Sequence, residues 1–160
     1  MSGSSRVFCV DTSALIDGLE RYYPEVTFPA LWKRVAQLVE DGRLIISEEV
    51  WIEARAKDEA VKEWCGARGK DPMVVATDSK VAQQVQGILK EFPRLVSGMK
   101  GRNRADPFVI AVAKLRGAVV VTGEGSDGTD ARPKIPLVCQ RRGIECVRFL
   151  DIIRLEGWAF

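Results

Sequence analysis

Acid–base or metal chemistry in this chain must rest on carboxylates, because none of its 160 residues is histidine. That absence removes the usual general base, every Ser-His-Asp or Cys-His nucleophile and the histidine-rich zinc sites. Of the 22 acidic residues, four stand where separate segments can bring them together. Asp11 directly follows an apolar run that ends at Val10. Glu53 falls on the second turn of a helix expected after RLIIS, and the V-x-x-E spacing from Val50 favours it over Glu49. Asp106 precedes Pro107 at a helix start, and Glu124 lies two residues beyond AVVVT. Each also has an ordinary reading. Asp11 and Asp106 are good helix caps, Glu53 is one of three glutamates within six residues, and Glu124 is a loop acid. Asp17 reads as a surface or helix-end residue with an auxiliary role open.

The elements that would position these acids alternate between strand and helix. Arg6–Val10 reads as a buried strand and DTSALIDG as a short helix or turn; Leu31, Val35, Leu38 and Val39 recur at helical spacing before Gly42. Arg43–Ser47 is a second strand, and Ser47 can cap a helix running towards Lys57 with Glu48 and Glu49 in its first turn. Cys65–Pro72 reads as a loop, MVVAT as a brief extended piece and Asp78 to Glu91 as a helix. A polar, basic loop over Ser97–Ala105 leads to Asp106-Pro107, a capping carboxylate with proline at the first helical position. The helix FVIAVAKLR stops at Gly117, Ala118–Thr122 is an apolar strand, and Gly123–Pro133 is a loop. The helix PLVCQRR, the strand ECV and the helix FLDIIRLEG complete the chain. Strands separated by helices imply right-handed crossovers and a mainly parallel sheet, and their continuous apolar character implies cover on both faces. The expected fold is a three-layer α/β/α sandwich forming a single domain over residues 1–160. Ligands in such sheets bind beyond the carboxyl ends of the strands, which is where Asp11 and Glu124 fall.

Composition narrows the setting. With 24 basic and 22 acidic residues the net charge is +2, too balanced to signal nucleic-acid binding by itself, so any basic surface must be local. Cys9, Cys65, Cys139 and Cys146 form no CxxC pair and read as buried free thiols of a reducing, cytoplasmic compartment. No apolar run approaches the roughly 18–20 residues of a membrane span, and MSGSSR lacks the apolar stretch of a signal peptide. Trp32, Trp51, Trp64 and Trp158 read as core or interface anchors rather than stacking platforms.

The segments VFCVDTSALID, RLIISEEVWIEA, ADPFVIAVAKLRG and VVVTGE, taken in this order, resemble the PIN-domain nucleases over essentially the whole chain. More narrowly, YYPEVTFPALW and KIPLVCQRRGIEC resemble a PIN-like branch carried in bacteria and archaea. By that resemblance Asp11, Glu53, Asp106 and Glu124 are the metal-binding and catalytic acids, with Asp127 open as a substitute for Glu124. The implied activity is endoribonucleolytic cleavage of single-stranded RNA, in many members as the toxin of a toxin–antitoxin pair. The implied partners are an RNA substrate, an antitoxin protein and a second copy of the chain. An all-carboxylate set suits Mg²⁺ or Mn²⁺, hard cations that prefer oxygen donors and retain waters, and disfavours zinc. Phosphodiester hydrolysis needs an activated water and a stabilised leaving oxygen, both of which one or two such cations supply.

Lys100, Arg102 and Arg104, in KGRNR beside Asp106, are expected to contact substrate phosphate, and Arg132 and Lys134 can add to that surface. Thr12, Ser13 and Thr122 can orient a carboxylate or a water, or simply cap. Two other classes compete. One is a catalytically degenerate PIN-like module that binds RNA or protein. The other is an aspartyl phosphotransferase built on Asp11, disfavoured because DTS lacks the second acid expected two residues on.

Overall fold

The computed structural model describes residues 5–96, 104–125 and 128–160. Among these residues five short strands, β1 (Phe8–Val10), β2 (Leu44–Ser47), β3 (Val74–Val75), β4 (Val119–Val121) and β5 (Cys146–Val147), form one sheet in the order β3-β2-β1-β4-β5. All four pairings are parallel. Phe8 stands opposite both Leu44 and Val119, which places β1 at the centre. The chain lays β2 and then β3 to one side of β1, crosses back, and lays β4 and then β5 on the other. Strand order therefore reverses between β1 and β4, which opens a crevice at their carboxyl ends.

Among the described residues eight α-helices flank the strands, the last of them after β5: α1 (Thr12–Ile16), α2 (Pro29–Glu40), α3 (Glu48–Lys57), α4 (Glu59–Arg68), α5 (Ser79–Glu91), α6 (Asp106–Arg116), α7 (Ile135–Arg142) and α8 (Phe149–Glu156). A π-helical segment, Asp17–Tyr22, follows α1 directly. Helix α6 packs against α5, α7 and the central strands on one face. On the other, Trp32 of α2 lies edge-on to Trp64 of α4 at 5.7 Å and against Phe149 of α8 at 5.4 Å. The expected three-layer α/β/α sandwich is the fold observed.

Two local expectations are corrected. Part of the Cys65–Pro72 loop is the last turn of α4, because the Asp58 carboxylate accepts the Val61 N–H at 3.0 Å and starts a second helix straight after α3. Asp17 is a helix-end residue, the other of its two readings, since it closes α1, but it is buried rather than at the surface, and its Oδ1 accepts from Arg21 at 3.1 Å. Two further helix starts use caps legible in the sequence, Ser47 for α3 and Asp78 for α5. Trp32, Trp51 and Trp64 are buried and Trp158 packs against the core, as expected. Cys9, Cys65 and Cys139 are buried thiols and Cys146 is half-buried. No helix among the described residues is long and apolar enough to cross a membrane.

Candidate active site

Asp11 extends β1 by one residue, its N–H donating to the Val121 carbonyl of β4 at 2.9 Å. Its backbone then turns into α1, so the side chain sits at the floor of the crevice, 5 % exposed. Both carboxylate oxygens are held. Oδ1 accepts from the Ser13 backbone N–H and from Ser13 Oγ at 2.9 Å, while Oδ2 accepts from Thr122 Oγ1 at 2.6 Å. Ser13 Oγ in turn accepts the Gly123 N–H at 2.8 Å and Thr122 Oγ1 accepts the Glu124 N–H at 3.2 Å. Two hydroxyls thus tie Asp11 to the segment carrying Glu124. Gly123 is required there, because a Cβ at this position would collide with the Asp17 carboxylate and approach the Ser13 carbonyl to 3.1 Å.

Asp106 enters from the opposite face. It is the first residue of α6 rather than its cap: Ala105 occupies the cap position with helical dihedrals and no side-chain hydrogen bond. The Asp106 carboxylate is therefore not spent on the helix's own amides. It is 8 % exposed, and its Oδ2 has no hydrogen-bond partner. Glu53, on α3, approaches from the third side, with Lys57 Nζ 3.8 Å from its Oε2. Glu124 comes from the loop after β4, and its Oε2 accepts the Ile135 N–H at 2.9 Å, which anchors it to the amino end of α7.

These four acids line one cleft of about 130 Å³ together with Thr12, Ser13, Ile16 and Lys57. Burial pushes all three shifted carboxyls upward. Asp106 rises to about 9, through desolvation first and then the charges of Glu124, Asp11 and Glu53, with Lys57 opposing. Asp11 is raised by desolvation against the hydrogen bonds from Thr122 and Ser13. Glu124 is raised by desolvation and by Asp11, against its bond to Ile135 and the charge of Lys134. Mutual repulsion in a partly buried cluster is the property a bound cation relieves.

The donor chemistry fits a hard divalent cation: four carboxylates, no imidazole or thiol lining the cleft, and an unpartnered buried oxygen on Asp106. Among the described residues no three His, Cys, Asp or Glu side chains are gathered tightly enough to hold an ion as they stand. Ligation therefore requires side-chain movement, for which Glu53, tied only to the exposed Lys57, has the most freedom.

The residues expected to converge thus share one cleft, and Glu49 is not among those that line it. Ser13 and Thr122 hold a carboxylate as anticipated, whereas Thr12 Oγ1 is buried without a partner. Lys57 was missed by sequence reasoning, although its i,i+4 spacing from Glu53 on one helix face was the available signal. Arg104 is exposed in the turn before α6 and lines neither this cleft nor the neighbouring cavity described below. Lys100, Arg102 and Asp127 lie outside the described residues.

Comparison with known proteins agrees with this architecture. A family model described as "Domain of unknown function (DUF4411)" matches residues 8–160. Among solved structures, the chain is similar to one in the DNA-bound VapBC of Salmonella typhimurium, at 19% identity and TM-score 0.54, over 90% of this chain and 98% of that one. It is also similar to a chain of FitAcB from Neisseria gonorrhoeae, at 15% identity and TM-score 0.50, over 90% and 99% of the two chains. At such identities the likeness is one of fold, and that fold is PIN-like. No match was found among curated proteins.

Proposed function

The chain belongs to the DUF4411 family, and from that premise and its PIN-like fold we propose that it is a metal-dependent endoribonuclease. It hydrolyses phosphodiester bonds of single-stranded RNA and serves as the toxin of a toxin–antitoxin pair. The observation that carries the reading is the meeting of Asp11, Glu53, Asp106 and Glu124, drawn from four separated segments, in one cleft at the sheet's switch point. The partner reading draws on the PIN-toxin resemblance, supported by the fold likeness to chains of VapBC and FitAcB.

Asp11, Glu53, Asp106 and Glu124 would hold Mg²⁺ or Mn²⁺. Such a cation, when bound, polarises the phosphoryl oxygens and makes water a better nucleophile. The protein's own contribution is positional and electrostatic. Ser13 and Thr122 fix the Asp11 carboxylate, as partners of a ligating group should. Asp106, its carboxyl raised to about 9 by burial and the neighbouring acids, would hold the cation as a carboxylate, so binding would be coupled to loss of its proton. Lys57 at the rim offers a cation to a substrate phosphate once Glu53 turns inward.

Incubation of the purified chain with single-stranded RNA and Mn²⁺ tests the reading, with chelator and Asp11→Asn as controls. Cleavage that needs both metal and Asp11 supports it. Equal inertness of wild type and variant across RNA substrates and both metals sinks it. A catalytically degenerate RNA- or protein-binding module is the second reading, favoured by the absence among the described residues of a ready-made three-ligand cluster. Calorimetry showing RNA binding with no divalent-ion binding would select it.

A further inference from the structure

Glu124 separates two cavities. On one side is the acid cleft; on the other is a cavity of about 200 Å³ whose lining includes Thr122, Gly125, Pro136, Val147 and Arg148, at the carboxyl ends of β4 and β5. The second cavity differs in character from the first. Pro136 and the half-buried Val147 give it an apolar wall, and Arg148 adds a cation to a lining that also holds the carboxylates of Glu124 and Asp151. The guanidinium lies close over Gly125: a Cβ there would stand 2.9 Å from Arg148 Nη2. Arg148 makes no salt bridge among the described residues, although two acids are near. Glu124 is turned to the Ile135 amide. Asp151 accepts from the backbone N–H of Arg148 at 2.9 Å and faces Arg154 at 3.7 Å. The guanidinium is therefore available to an anion arriving from solvent.

We propose that this cavity is the subsite for the nucleotide next to the scissile phosphodiester, with Arg148 contacting that nucleotide's phosphate and Pro136 and Val147 packing against its sugar or base. The proposal rests on the nuclease reading of the adjacent cleft. At about 200 Å³, below the roughly 300–1,000 Å³ of pockets that engulf a whole ligand, the cavity has room for a phosphate and part of its sugar or base, the rest lying in solvent. A shared wall at Glu124 lets a continuous strand occupy both cavities, with one phosphate at the acids and its neighbour at the guanidinium. Such a contact supplies affinity and register without reading sequence. Arg148 follows β5, far in sequence from KGRNR, so charge clustering along the chain gives no sign of it.

Fluorescence anisotropy of a labelled single-stranded RNA octamer in chelator, across a salt series, tests this with the full chain. Arg148→Gln should weaken binding about tenfold at low salt and reduce the slope of log K against log salt by about 0.7, one phosphate's share for a single strand. Arg148→Lys should restore the slope. Gly125→Ala, which crowds the guanidinium without removing its charge, should fall between wild type and Arg148→Gln. With Mn²⁺, Arg148→Gln should raise KM and leave kcat close to wild type. Should Arg148→Gln fail to fold, Gly125→Ala and Arg148→Lys still decide the matter. Unchanged affinity and slope in both the glutamine and Gly125→Ala variants, or a wild type that binds no RNA, overturns the subsite. A wild type that cleaves RNA with the same KM as Arg148→Gln overturns the subsite alone. RNA binding that depends on Arg148 without any cleavage overturns the nuclease reading and leaves a phosphate-binding cavity.

Discussion

Asp78 and Asp106 begin neighbouring helices on the same face of the sheet, and the chain uses them in opposite ways. Asp78 is exposed, and its Oδ1 accepts the Val81 N–H at 2.9 Å, satisfying an amide of α5 that has no partner within the helix. Asp106 is buried, caps nothing, and leaves Oδ2 without a partner in a cleft shared with three other acids. An aspartate beside the first turn of a helix is thus a stabilising device at one position and a destabilising one at the other. The difference lies in where each helix starts. Helix α5 starts beyond the edge strand β3, in contact with water, whereas α6 starts over the reversal of strand order between β1 and β4. A buried acid with no structural duty is a functional candidate, because the fold tolerates its cost without a packing return.

Activity separates the two aspartates most widely. Asp106→Asn should lower Mn²⁺-dependent RNA cleavage at least ~100-fold, as expected for loss of a metal-ligating carboxylate, while Asp78→Ala should cleave at the wild-type rate. Loss of activity in both variants, or in neither, would erase the contrast. Next in size is the support of Asp11. Thr122→Val removes the hydroxyl 2.6 Å from Asp11 Oδ2 and should weaken Mn²⁺ affinity by about 10–100-fold, read by calorimetry; unchanged affinity would show that the hydroxyl is only structural.

Stability against pH sharpens the comparison from the other direction. Asp106 rises from an ordinary 3.8 to about 9 in the folded chain, so the folded state keeps a proton that the unfolded state releases. Its favourable contribution is complete below about pH 4 and is lost progressively as pH rises to about 9. In chelator, Asp106→Asn should therefore gain stability over wild type steadily as pH rises through that window, and show little difference at pH 4. Parallel melting curves for the two proteins against pH would refute the assignment. The smallest effect belongs to the cap: Asp78→Ala should cost about 1 kcal/mol in denaturant unfolding.

Much of this architecture is legible in the chain itself. The apolar runs VFCV, RLIIS and AVVVT predict the central strands because a parallel strand covered on both faces needs no polar alternation. Gly117 and Gly143 end their helices as expected, both with left-handed backbone angles. The break between α3 and α4 was less legible. Asp58 offers a capping signal, yet the segment around it lacks a sustained apolar stripe, and packing of Trp64 on Trp32 defines the second helix. The burial of Asp17 was likewise hidden, since its cause is the close approach of Gly123 from the far side of the fold.

Residue types alone removed imidazole from any site the chain can build, since it contains no histidine. Their order along alternating strands and helices determined that Asp11 and Glu124 fall at strand ends, because in parallel sheets every strand presents its carboxyl end to the same edge. Only the tertiary structure decided which acids are caps and which face the cleft, that Lys57 stands beside Glu53, and that Arg148 faces the cavity behind Glu124. The physical reason is range. Capping and periodicity act over three or four residues, whereas desolvation and charge repulsion depend on which segments share a volume, and that is settled by strand order and packing.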